Sequence, residues 1–245
     1  HFPLTFYGAW LYGANWKNAE KYEEIAEIIN DAKLNDIEVK TPQIDTLTYH
    51  TSIVNDEFVQ FGLIETKDIG PATAKKTLAE LREAESTIKQ EIIKWSWIEY
   101  LIFAAPRLGK TVNQALISIG ALDNIEKLHR NKRLFEYDQI SKLSKDTELK
   151  WLQTHYHTHK WKTLIEALQA LKPVRKMKDK VWIGGGGTAS VKGEAKVGSI
   201  ISLLEKPPMS LDDTIDWIAT TEEHYLGYPV TISKVDGCLE AVEAN

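Results

Sequence analysis

The string AAPRLGKTVN (residues 104–113) contains Ala-x-x-x-x-Gly-Lys-Thr, a permissive spelling of the loop that grips nucleotide phosphates. In that chemistry backbone N–H groups cradle the phosphates, Lys110 would neutralise them and Thr111 would hold magnesium. The loop needs a buried strand before it, a helix after it and a separate apolar strand ending in an acid. WIEYLIFAAP passes for the first strand, but no later apolar run ends in aspartate in the required way.

A second stretch offers a different phosphate chemistry. LIETKDIGPATAKKTLAEL (residues 63–81) has an apolar start, a tight turn through Lys67, Asp68, Ile69 and Gly70, and a helix opened by Pro71, Ala72 and Thr73. This is the pattern of a helix-hairpin-helix motif. Its turn and the first turn of its second helix point unpaired backbone N–H groups outward, which suits one phosphate of a DNA strand. Lys75 and Lys76 follow and could add charge. Such contacts hold a duplex without reading its sequence. WIEYLIFAAPRLGKTVNQALISIGALD also fits a helix, a turn at Pro106 to Gly109 and a second helix. On that reading the phosphate near Lys110 belongs to DNA and not to ATP.

Other groups carry weaker signals. HYHTH sets His155, His157 and His159 at every second position, but on a helix only His155 and His159 share a face, and zinc needs three or four ligands. A solvated helix face is the expectation, and no metal site is assigned. KLHRNKR supplies Lys127, Arg130, Lys132 and Arg133, and KPVRKMKDK (residues 172–180) a second basic cluster; each fits either phosphate binding or a solvated face. Asp212, Asp213 and Asp216 precede or open a helix, where acids suit the macrodipole. Among the eight tryptophans, Trp10, Trp95, Trp97 and Trp217 lie in helical apolar stripes and are expected to pack in the core.

These groups must be positioned by mostly helical elements. Pro3 opens a helix on which Phe6, Ala9, Trp10 and Gly13 recur at helical spacing. NAEKYEEIAEIINDAKLN is amphipathic, with Tyr22, Ile25, Ile29 and Ala32 on one stripe. IEVKTP and TSIVNDEFVQFGL read as strands, the second a hairpin turning at Asn55 and Asp56. Helices then dominate from Thr73. Four consecutive glycines mark a linker over residues 184–193. Two short helices follow, split at Pro207 and Pro208, with Ser210 and Asp213 as a capping box.

With 245 residues, 43% of them hydrophobic, the chain can fill a real core, and a net charge of −5 gives no global pull toward nucleic acid. The single Cys238 rules out an internal disulfide, and no apolar run spans a bilayer, so a cytoplasmic setting without membrane contact is expected. The start at His1 without methionine reads as a piece of something longer.

The segments HFPLTFYGAWL, IEVKTPQID, FVQFGLIETKDIGPATA, VNQALISIGALD and WIATTEEHYLGYPVTISKVD resemble, in order and approximate spacing, the catalytic alpha subunit of the bacterial-type, C-family replicative DNA polymerase III. The likeness covers Phe2 to Leu11, Ile37 to Ala79, Asn113 to Asp123 and Trp217 to Val235, and is poor between Ile125 and Leu204; the long connecting region points to a divergent lineage such as a phage-encoded enzyme. The resemblance implies a region from the end of the fingers through a tandem helix-hairpin-helix module that clamps newly made duplex behind the active site. It places DNA contacts at Lys67, Ile69, Gly70, Ala72, Thr73, Lys75, Lys76, Gly109, Lys110, Thr111 and Asn113. Asp68 departs from the family's usual glycine, and a carboxylate there repels a DNA phosphate unless it turns away or caps the next helix. Asn131, Leu134 and Phe135 resemble a weak version of the Gln-x-x-Leu-Phe peptide that enters the sliding clamp, although helical core packing is the favoured reading of that pair.

The expected fold is mainly α with a small β-hairpin, comprising a tandem helix-hairpin-helix module and extra helices. Residues 1–60 would end the fingers, 61–124 form the tandem module, 125–183 a helical connecting region, 184–193 the linker, and 194–245 a helical connector toward an oligonucleotide-binding barrel. The expected role is non-catalytic: duplex (primer-template) holding within a DNA-directed DNA polymerase. No cofactor is expected in this portion, magnesium serving the palm carboxylates of the whole enzyme; partners would be DNA, the sliding clamp and the rest of the polymerase chain. A nucleotide-binding P-loop protein and a protein-binding helical scaffold are the alternatives.

Overall fold

Helix α1 (Phe2–Gly13) packs against α2 (Lys21–Leu34) and against a small sheet. The structure, a computed structural model, describes residues 2–14, 21–172 and 191–232. Helix α1 buries Leu4, Tyr7 and Leu11, while Phe6 is 48% exposed and Ala9 is exposed. The buried face is therefore not the Phe6, Ala9 and Gly13 face expected from spacing, because α1 is apolar nearly all round and its partners choose the side. Tyr7 fixes the choice: its hydroxyl donates to Asp31 Oδ2 at 2.5 Å and accepts from Asn35 Nδ2 at 2.9 Å, both on or just after α2. On α2, Ile25, Ile29 and Ala32 of the expected stripe are buried together with Ile28, and the side chain of Tyr22 lies outside the described residues.

The sheet has order β1-β3-β2, built from β1 (Val39–Lys40), β2 (Ser52–Val54) and β3 (Phe58–Gln60). Strands β2 and β3 form the antiparallel hairpin, turning at Asn55 (φ 52°) and Asp56 (φ 58°), a left-handed pair that Asn and Asp tolerate. Strand β1 adds in parallel to β3.

A short 3-10 turn (Leu63–Glu65) leads to α3 (Pro71–Ile88). Next come α4 (Trp97–Glu99), which runs on as a π-helical turn (Tyr100–Ala104), and α5 (Lys110–Ser118). The chain continues as α6 (Arg130–Ile140), a π-helical turn (Lys145–Leu149) joined to α7 (Lys150–His159), α8 (Leu164–Ala170), α9 (Val191–Glu205) and α10 (Ile215–Leu226). The fold is mainly α with a small sheet, as the sequence indicates.

One pair of alternatives is decided and two local expectations change. Residues 97–104 are helical and buried throughout, so the strand required by a nucleotide loop is missing. An element buried on every side shows no period, and length alone could not separate helix from strand. Helix α9 starts at Val191 and takes up the last residues of the expected linker; residues 184–190, the basic run 173–180 and Cys238 lie outside the described residues. The N-cap of α10 is Thr214, whose hydroxyl accepts from the Trp217 amide, and not Ser210.

Asp213 instead caps α6 across the fold, accepting from the Arg130 amide at 2.6 Å and the Asn131 amide at 2.9 Å. The arginines of the first basic cluster turn inward beneath that cap. Arg130, 5% exposed, reaches Glu222 at 2.9 Å and Asp123 at 2.9 Å, and Arg133, fully buried, reaches Asp123 at 2.6 Å. Glu222 also accepts the Val230 and Thr231 amides, each at 2.8 Å. Gly120 (φ 76°) is required here, since a Cβ would stand 2.2 Å from Arg130 Nη2. Sequence charge suggested a phosphate-binding or solvated face; burial with matched carboxylates makes Arg130 and Arg133 an internal strap between α6, α10 and the end of α5.

Candidate nucleic-acid interface

The first turn, residues 66–70, rests on the following helix and on α10. Asp68 has φ 68°, the left-handed region where glycine is free and aspartate tolerated, so the aspartate keeps the backbone shape of a glycine position. The side chain of Ile69 is buried and its N–H goes to the Thr66 carbonyl at 3.2 Å. The Lys67 N–H is taken by the Tyr225 carbonyl at 2.7 Å. Of the expected phosphate ligands, Ile69 and Lys67 thus spend their backbone N–H groups internally, leaving Lys67 only its exposed ammonium. Gly70 (φ −73°, ψ 168°) is the N-cap of α3 and makes no side-chain cap. Pro71 has no N–H, so Ala72 and Thr73, both exposed, supply the open amides of the first helical turn.

The second turn, residues 105–109, ends in the same backbone form. Gly109 (φ −70°, ψ 158°) caps α5, again without a side-chain cap, and opens onto exposed Lys110 and Thr111. Asn113, expected to meet DNA, is fully buried. Its amide donates to the carbonyls of Ala105 (3.0 Å), Leu108 (3.3 Å) and Gly109 (3.1 Å) and its oxygen accepts from Tyr100 at 2.7 Å. A side chain committed to four internal bonds shapes the turn and touches no phosphate.

The first turns of α3 and α5 line one cleft of about 420 Å³, bordered by Ala72, Thr73 and Lys76 on one element and Gly109, Thr111 and Val112 on the other. Arg107 bridges them, reaching Glu80 at 3.5 Å and Thr87 at 3.1 Å on α3. The two lysines of α3 diverge: Lys76 borders the cleft, whereas the Lys75 ammonium lies 5.7 Å over the Tyr49 ring. Lys110 borders a neighbouring cavity of about 300 Å³ with Tyr137 and Lys145. Asp68 reaches both the shared cleft and a second one of about 420 Å³ formed with Lys67, Gly70 and Tyr225. Burial pushes the Tyr225 phenol up, and the Asp68 carboxylate adds to that. The participation of α10 and Glu80 had no local sequence signal, since Tyr225 lies far along the chain from the turn it supports.

Several other helix starts are closed. Ser96, Thr163 and Thr214 cap α4, α8 and α10 with their hydroxyls, and Asp213 caps α6. Neither Gly70 nor Gly109 has a φ that needs glycine, and a Cβ built on either meets nothing within 4 Å. Internal packing therefore does not ask for glycine at these two positions.

The remaining candidates are placed differently. Asn131 sits in the first turn of α6 and donates to the Asp212 carbonyl at 3.1 Å, and Leu134 packs against the core. With Phe135 half-buried on the same helix, the three do not form an extended clamp-binding peptide. His155 stacks on Trp151 (centroids 4.1 Å) and His159 on Trp161 (5.3 Å), and no group of three or more His, Cys, Asp or Glu that could hold a metal occurs among the described residues. Trp95 and Trp97 are buried; Trp10 and Trp217 are half-buried. Among the described residues no helix is long and apolar enough to cross a membrane.

Neither a scan of protein-family models nor a search of curated proteins gives a match to the chain.

Proposed function

We propose that the cleft between the starts of α3 and α5 holds the sugar-phosphate backbone of duplex DNA, without sequence preference, as a non-catalytic part of a C-family replicative DNA polymerase. The observation that carries the reading is the pair of glycine N-caps with ordinary φ and empty surroundings, beside one cleft. Glycine there leaves room for close approach of a ligand backbone, and the uncapped amides of Ala72, Thr73, Lys110 and Thr111 suit phosphate oxygens. Lys76, Lys110 and Lys67 add charge around them, while Asp68 opposes it. In this setting magnesium and the catalytic carboxylates belong to the palm of the polymerase, and the fingers and sliding clamp are the neighbouring partners. The chain would work in the cytoplasm.

Duplex titration at two salt concentrations tests this, because each neutralised phosphate releases condensed counterion and steepens the salt dependence. Since both glycines accept a Cβ without clash, Gly70→Leu and Gly109→Leu keep the fold while blocking the helix ends. A folded double variant should lose duplex binding by about tenfold or more, comparable to losing one to two charge-assisted bonds. Unaltered affinity and salt slope would remove the cleft as a DNA contact.

A further inference from the structure

Beside the first turn, on the flank of α3 away from the cleft, stands a group of rings that duplex holding does not use. Tyr12, at the end of α1, is 54% exposed, and its ring lies 4.7 Å from that of His50. His50 in turn meets Tyr49 edge-on at 5.0 Å, and Lys75 holds its ammonium 5.7 Å over Tyr49. Three rings from two distant segments, with a cation beside them, converge here: Tyr49 packs partly against the core, His50 is half-buried and Tyr12 stands exposed.

The central ring is held rigidly from behind. Glu65, whose side chain is fully buried, binds His50 Nδ1 at 2.9 Å through one oxygen and the Gly62 amide at 2.9 Å through the other. Burial pushes the Glu65 carboxyl up, and its bonds to His50 and Gly62 pull it back. Gly62 packs so closely on the His50 backbone that a Cβ would stand 2.3 Å from its carbonyl carbon. The loop is strapped to the 3-10 turn by the Leu63 N–H to Thr48 carbonyl bond (3.0 Å) and the Ile64 N–H to Tyr49 carbonyl bond (3.2 Å). The imidazole is therefore held in one orientation, with Nδ1 on Glu65 and the rings of Tyr12 and Tyr49 against it.

We infer that Tyr12, His50 and Tyr49, with Lys75, form a stacking platform for unpaired bases of single-stranded DNA adjoining the duplex site. Aromatic faces stack any base without reading sequence, and a neighbouring cation accepts the strand's phosphate. Continuity favours this occupant: Lys75 lies about one turn along α3 from the open amides of Ala72 and Thr73, so a strand leaving the duplex along that helix meets the platform. The inference rests on the duplex-holding reading for its setting, but the platform is testable alone.

The experiment measures binding of the folded chain to three probes: blunt duplex, the same duplex with a thymine overhang, and free oligo-dT carrying 2-aminopurine. Overhang duplex should bind tighter than blunt duplex. Tyr12→Ala should abolish that gain and weaken oligo-dT about tenfold, the loss expected for one stacked base, whereas Tyr12→Phe, which keeps the ring, should retain both. Blunt-duplex affinity should be equal in all three proteins. Oligo-dT binding that depends on Tyr12, with no blunt-duplex binding, keeps the platform and removes the duplex reading. An overhang gain that survives Tyr12→Ala, or no binding of oligo-dT by the parent protein, overturns the platform.

Discussion

The first turn of the proposed interface is held from outside, by the Tyr225 carbonyl on α10, whereas the second is held from within, by the amide of Asn113. Both end in a glycine N-cap of nearly the same φ and ψ. The first also carries a left-handed Asp68 whose carboxylate faces the cleft, while the second has no residue at positive φ. Equal backbone form is thus reached by two supports of different reach. The second turn, also tied to α3 through Arg107, carries no left-handed acid of its own; on the proposed reading it is the stronger phosphate site, and the first depends on how well the rest of the fold holds α10 in place.

The largest test of that dependence is Glu222→Ala. Glu222 pairs with buried Arg130 and anchors α10, so its loss strands a buried charge and should destabilise the fold by about 3–5 kcal/mol in denaturant unfolding. Hydrogen exchange should show the Lys67 amide opening more readily while the Asn113 amide keeps its relative protection. Equal loosening of both turns would erase the distinction. Asn113→Ala is the converse change. It leaves the Ala105 and Leu108 carbonyls and the buried Tyr100 hydroxyl without this partner, while the Gly109 carbonyl keeps the main-chain N–H of residue 113, at an expected cost of about 2–3 kcal/mol, read as a lower denaturant midpoint.

Asp68 separates charge from backbone. Removing one charge near a phosphate is worth about 1 kcal/mol at close range in water, so Asp68→Asn should tighten duplex binding by about fivefold while keeping a residue that tolerates the left-handed region. Asp68→Gly should match it in affinity and relieve the φ 68° backbone as well, seen as a higher melting temperature. If neither variant binds more tightly, the first turn does not face the strand. The smallest effect distinguishes the α3 lysines: Lys76→Ala should lower the slope of log affinity against log salt by about 1 on blunt duplex, and Lys75→Ala should leave it nearly unchanged.

Much of this arrangement was legible in the sequence. Gly70 with Pro71 marked the start of α3, Asn55 with Asp56 marked the hairpin, and the alternation of apolar and charged residues marked α2, because each signal is local and tied to a backbone preference. The readings that changed were those depending on distant partners. Arg130 and Arg133 carried charge that suggested a phosphate-binding or solvated face, and the resemblance placed a DNA contact at Asn113; the arginines are buried against carboxylates of other segments, and Asn113 against the carbonyls of its own turn and the Tyr100 hydroxyl. Asp213 stood in a plausible capping box beside α10, yet an uncapped helix start on α6 claimed it.

The sequence by itself determined the mainly helical fold, the hairpin and the two glycine-ended turns, since turn chemistry and helical period act over a few residues. Tertiary structure alone decided which helix starts other segments cap, that the two glycine-capped starts share a cleft, and that Lys75 and Lys76 part toward a ring and a groove. Those outcomes depend on long-range packing, where a side chain's role follows from its neighbours' geometry more than from its own chemistry.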